Sequence, residues 1–161
     1  MDPQLERVRN RHLLMLERTL KTLTSVITAA DSADLRAKRD GPDGWTPLDI
    51  VCHLRDLEPL FISRAQSVID HDNPTFVTYN VNQLVIDNNY AAQDPAEALA
   101  ELSASRARTL ALFRAVQDDQ WARTGIHPAY GLQTLLDVLM HIAHHDLDHI
   151  EQMTRVLAQE S

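Results

Sequence analysis

The chain has 161 residues, 44% of them hydrophobic and 24% charged, which is the size and balance of one ordinary globular domain spanning residues 1–161. A formal net charge of −8, with only 15 scattered Lys and Arg, argues against nucleic acid or an anionic membrane as a partner. The single cysteine, Cys52, cannot form an internal disulfide, and no run approaches the roughly 20 apolar residues of a membrane span, so the cytoplasm is the expected compartment.

Four long segments carry helical periodicity. The first runs from about Gln4 to Ala30, with Val8, Leu13, Leu16, Leu20, Leu23 and Ile27 broadly on one side. The polar stretch DSADLRAKRDGPDGWTP that follows reads as a loop. The second helix opens on Thr46 as N-cap, Pro47 at the first helical position and Asp49 three residues on. Its stripe is Ile50, Leu54, Leu57, Phe61, Ala65 and Val68. HDNPTFVTYN breaks that helix, and VNQLVIDNNYAAQ reads as a short, weak helix. Asp94-Pro95-Ala96-Glu97 starts the third, which runs to about Val116. DDQWARTGIHPAYGLQ reads as a loop. The fourth begins at Thr134, with Asp137 three residues on, and ends near Ala158. Four amphipathic helices with polar connections predict an all-α fold, a four-helix bundle with long inter-helix loops.

The stretch HIAHHDLDHIEQM holds four of the eight histidines. At about 100° per residue, with Ile142 as reference, His149 falls about 20° and His145 about 60° from the buried direction. His141 falls about 100° away, at the edge, and His144 about 160° away, toward solvent. His145 and His149 are spaced i,i+4, which offers two imidazole nitrogens to one metal ion from one helix face. His141 and His149 lie about 12 Å apart along the axis, so a third ligand should come from another helix. His53, in VCHLRDLE, is the candidate, although the wheel places it at the boundary of its helix. Glu58 turns inward on the same helix and can orient a ligand, bind the metal or act as a base.

The remaining candidates have plain structural readings. Asp137, Asp146, Asp148 and Glu151 read as a solvated helix face. His12, His71 and His127 read as an exposed helix position, a helix end and a loop, with His127 a possible pocket residue. Trp45 and Trp121 read as packing anchors, and Cys52 as a small buried or boundary residue. No Ser–His–Asp order, phosphate-cradling loop or dinucleotide motif is present.

GWTPLDIVCHLRDLE resembles the second helix of DinB/YfiT-like proteins, and GLQTLLDVLMHIAHHDLDHIEQM resembles their last helix, with its HxxxH pair followed by glutamine. The similarity runs over about residues 5–158. It implies a four-helix bundle holding a divalent transition metal (Ni, Zn, Fe or Mn) on His53, His145 and His149. Gln152 matches the glutamine after the pair and is expected to pack or to support a ligand. His141 and His144 match no ligand position. The resemblance also implies a homodimer and a small-molecule substrate.

The first expectation for function is a metal-dependent S-transferase that passes a low-molecular-weight thiol of the bacillithiol or mycothiol type to small electrophiles, with Glu58 in a supporting or basic role. The alternatives are a metal-dependent hydrolase and a non-catalytic metal- or small-molecule-binding stress-response protein.

Overall fold

A computed structural model describes residues 2–159. Four long helices dominate it: α1 (Pro3–Ala29), α3 (Pro47–Asp70), α5 (Pro95–Ala115) and α6 (Leu135–Leu157). Their starts are written in the sequence. Asp2, Asp94 and Thr134 each cap a helix with a side-chain oxygen, and Thr46 pairs with Asp49 in a reciprocal capping box. Proline occupies the first turn of α1, α3 and α5, where its missing N–H costs nothing. No helix among the described residues is long and apolar enough to cross a membrane.

The order of packing explains the long connections. α1 packs against α5 and α6, and α3 packs against the same two helices. Of helices that follow one another, α1 and α3, and likewise α5 and α6, therefore stand at opposite corners of the bundle, while α3 and α5 are neighbours. The α1–α3 and α5–α6 connections must each cross an end of it, which a two- to eight-residue turn cannot do.

Two of the segments expected to be loops carry structure. The first connection contains α2 (Ser32–Ala37), capped by Asp31, and Lys38 then donates to the carbonyls of Leu157 and Gln159 at 3.0 and 2.7 Å. DDQWARTGIHPAYGLQ forms a hairpin of β1 (Thr124–His127) and β2 (Gly131–Thr134) that pairs Ile126 with Leu132. Its turn has no Asn-Gly signature. Gly131 adopts the left-handed φ of +75° that closes it. The hairpin is fastened from outside. The Phe76 N–H donates to the Ile126 carbonyl, and the Ile126 N–H to the Pro74 carbonyl, each at 2.8 Å. Gly125 is needed there, because a Cβ would stand 2.3 Å from the Phe76 ring. The weak helix near residue 81 forms as α4 (Val81–Asp87), followed by a single 3-10 turn at Tyr90–Ala92.

The apolar interior comes in two halves. One gathers Leu16, Leu57, Phe61, Leu110, Phe113, Leu139 and Ile142. The other gathers Leu23, Ile50, Leu54, Leu102 and Met153. Between them lies a polar layer to which every long helix contributes. Arg106, on α5, is 1% exposed and donates to Asp146 of α6 at 2.6 and 2.9 Å, to Glu58 of α3, and to the Leu16 carbonyl of α1 at 3.2 Å. Thr109 donates to Glu58, and Thr19 to Asp146 at 2.5 Å. Asp146, expected on a solvated face, is therefore a buried core residue, 1% exposed. Its position about 40° from Ile142 on the helical wheel explains why.

Candidate metal centre

The three histidines singled out from the sequence meet. His53 Nε2 and His149 Nε2 each lie 3.1 Å from His145 Nε2, and all three atoms fall within 4.8 Å of one another. Nitrogens about 2.1 Å from one ion at angles of 90–110° stand roughly 3.0–3.4 Å apart, and the two separations from His145 fall in that range. Mutual hydrogen bonding cannot account for the contacts. His149 Nδ1 lies 2.8 Å from the Gln152 side-chain oxygen, whose amide nitrogen donates to Asp40 at 2.9 Å. That amide orientation makes His149 Nδ1 the donor and leaves Nε2 as a bare lone pair. His145 Nε2 lies against both His149 Nε2 and His53 Nε2 and, with a single proton or a single in-plane lone pair, can pair with only one.

Burial keeps the cluster neutral. Desolvation, with His149 beside it, pulls the His53 pKa down to about 3. Desolvation together with His149 and His53 pulls His145 down to about 2, and His149 is also lowered, chiefly by burial. Neutral imidazoles with convergent lone pairs are the form that binds a transition metal. His53 Nδ1 is buried without a hydrogen-bond partner, and its ring is held by Trp45, with centroids 4.6 Å apart. Trp45 also stacks on His149 at 6.0 Å, so it is both an anchor and a wall of the site.

His53 is 3% exposed rather than a boundary residue. The first two turns of α3 are buried on every side, under α2, α5 and α6, so a single apolar stripe does not describe them. His144 is exposed, as the wheel predicts, and sits edge-on to His12. Glu58 does point inward, but both of its oxygens are taken by Arg106 and Thr109, and it is not part of the histidine cluster. Burial pushes its carboxyl above the usual range, against the pull of Arg106 and Thr109.

The cluster lies in a pocket of about 650 Å³ between α3, α6 and the hairpin. Its walls include Leu57, Leu60, Phe61 and Val81, and no Asp or Glu among the described residues lines it. His127, expected in a loop, ends β1 and is 6% exposed, facing this pocket with Tyr130 stacked on it at 4.4 Å. Its Nδ1 accepts from the Ala129 and Tyr130 N–H groups at 3.1 and 3.3 Å, which leaves an N–H on Nε2. His141 is half-buried on the same wall. A larger groove, about 920 Å³, shares Leu60 and Tyr79 with this pocket but holds no histidine.

Three histidines from two helices of a bundle with diagonal connections define a class of small helical proteins, and comparison with known proteins identifies it. Residues 15–153 match the profile of the DinB superfamily. The chain belongs to that superfamily. It is 29% identical over 140 residues to YfiT of Bacillus subtilis, a protein described as a candidate metal-dependent hydrolase, covering 84% of this chain and 76% of that one. The YfiT structure, reported to have an unusual four-helix bundle topology, superposes with a TM-score of 0.84 at 25% identity, over 92% of this chain and 85% of YfiT. The mycothiol-dependent maleylpyruvate isomerase shares the fold at a TM-score of 0.74 and 12% identity, over 90% of this chain and 60% of that one. So does the four-helix bundle protein TT2238, at 0.67 and 24%, over 91% and 98%.

Proposed function

We propose that this protein is a divalent-metal enzyme that activates a small nucleophile, and that the nucleophile is a low-molecular-weight thiol transferred to a small electrophile. The observation that carries the reading is the convergence of three neutral Nε2 atoms on a pocket whose lining contains no carboxylate. His53, His145 and His149 would hold the ion, and the donor set suits Ni, Zn, Fe or Mn. A divalent ion bound there supplies Lewis acidity that lowers the pKa of a thiol or water.

The chain's own residues do the rest. Gln152, held by Asp40, fixes the His149 tautomer. His141 is neutral, pulled down by burial and by Arg64, and accepts the nucleophile's proton at an unpaired ring nitrogen. His127 offers its Nε2 proton to an oxygen of the electrophile. Trp45, Phe61 and Leu57 exclude water from the reacting centre. Glu58 acts from a distance, by pinning α3 to α5. A thiol suits this arrangement because it ionises without a strong base, and no carboxylate among the described residues lines the pocket.

Hydrolysis is the second reading, favoured by the likeness to YfiT. Untagged protein should be assayed for bound metal. The loaded protein should then be offered a thiol-reactive electrophile with bacillithiol, mycothiol or cysteine. Metal-dependent thioether formation that disappears in His145→Ala is the expected result. Product carrying oxygen from labelled water, with no thiol requirement, would replace transfer by hydrolysis.

A further inference from the structure

Arg64 is 7% exposed on α3 and lines the histidine pocket, yet no carboxylate pairs with it among the described residues. Arg106, the other deeply buried guanidinium, carries two. In a chain with 23 acidic residues this is a conspicuous omission. Buried cations are kept where something offsets them. Arg64 Nε and Nη2 both donate to the Val77 carbonyl, at 3.3 and 3.0 Å, and Nη1 has no acceptor among the described residues. The guanidinium lies over the Phe61 ring at 5.6 Å and the Phe76 ring at 5.8 Å. It is thus fixed in place before any ligand arrives, with one edge free.

We propose that Arg64 anchors a carboxylate of the substrate, so that the pocket takes small carboxylic acids whose reacting end faces His53, His145 and His149. The position supports the direction. Arg64 follows His53 by three helical turns, about 20° around the axis and about 16 Å along it, and helix side chains lean back toward the N-terminus. Phe61 stands between the two ends, 5.6 Å from the Arg64 guanidinium and 5.8 Å from the His145 ring. At the Arg64 end the lining among the described residues is free of carboxylates, and it includes Tyr130 and His127, which keeps a proton on Nε2. One guanidinium with neutral helpers matches a singly charged, planar carboxylate and leaves a phosphate dianion half-compensated.

The inference rests on the metal reading only for which end of the substrate reacts; the anchor itself does not. The test uses protein loaded with cobalt, with thiolate ligation read as a charge-transfer band. The probes are 3-mercaptopropionate and its neutral amide. The acid should bind about tenfold tighter than the amide, and Arg64→Met should bring the two within about twofold while keeping its metal content. Equal binding of acid and amide to the unsubstituted protein, or an acid preference that survives Arg64→Met, overturns the inference and leaves the metal reading standing. If no metal binds, the metal reading fails and the anchor is tested alone. The Arg64 15Nε resonance of the metal-free protein should then move with propionate and not with propionamide, and a resonance that ignores both overturns the anchor.

Discussion

Replacing Arg106 by Met would remove the only cation from the polar layer and leave two carboxylates facing an apolar interior. Glu58 would keep Thr109 as its donor, and Asp146 would keep Thr19. Breaking a buried pair in this way typically costs about 3–5 kcal/mol. The Glu58 share can be worked out. If the stranded carboxyl takes up a proton to stay buried, the cost at pH 7 is its distance from an unfolded pKa of about 4.3, or about 3.7 kcal/mol, and at pH 5 it is about 1 kcal/mol. The sign follows from a folded pKa raised above the unfolded one: the folded state binds the extra proton, so stability falls as pH rises through that window. Urea unfolding of Arg106→Met at pH 5, 6 and 7 should therefore show a deficit that grows by about 1.4 kcal/mol per pH unit. Glu58→Gln in the same background should recover about 2–4 kcal/mol at pH 7 and little at pH 5. A deficit below about 1 kcal/mol at pH 7, or one that does not change with pH, would refute the idea that Arg106 neutralises Glu58 in a dry interior.

Further outcomes concern the histidine site and the single thiol. His145→Ala should lose bound metal by elemental analysis, while His144→Ala, exposed and outside the cluster, should retain it in full. Gln152→Ala frees the His149 tautomer and should weaken metal binding about 10- to 100-fold in competition with a chelator, without lowering the number of sites. Burial pushes the Cys52 thiol up to about 12. Iodoacetamide should therefore leave it unmodified at pH 8 until urea unfolds the chain. Because the folded pKa is raised, stability should fall by about 1.4 kcal/mol per pH unit above pH 9, and Cys52→Ala should flatten that slope between pH 9 and 10.

The helices and the histidines could be read in the sequence because both are local patterns. Thr46-Pro47 and Asp94-Pro95 mark helix starts by short-range chemistry, and the i,i+4 pair His145–His149 shares a face by geometry alone. What escaped was tertiary. Asp146 carries the charge of a surface residue, and only its place on the wheel, beside Ile142, betrays it. Arg106 sits one turn after Leu102 and one before Leu110, within an apolar stripe, a signal of the same kind. The burial of His53 depends on three other elements covering α3, and no window of its own helix contains that fact. The hairpin has few strand-forming residues and is held by Pro74 and Phe76, some fifty positions earlier. Arg64 is informative for what it lacks, and the absence of a partner is visible only once every neighbour is in place.

The polar layer has a consequence for how the site arises. Leucine against leucine tolerates a helix sliding by one turn, since one apolar contact replaces another. Glu58, Arg106, Asp146 and Thr19 do not: a slip of about 5.4 Å would strand each charge against hydrocarbon. The layer thus works as a vernier along the bundle axis, aligning α3 with α6 without using any of the three histidines. The imidazoles inherit their spacing from that alignment, so the chain can present them ready-made to an arriving ion.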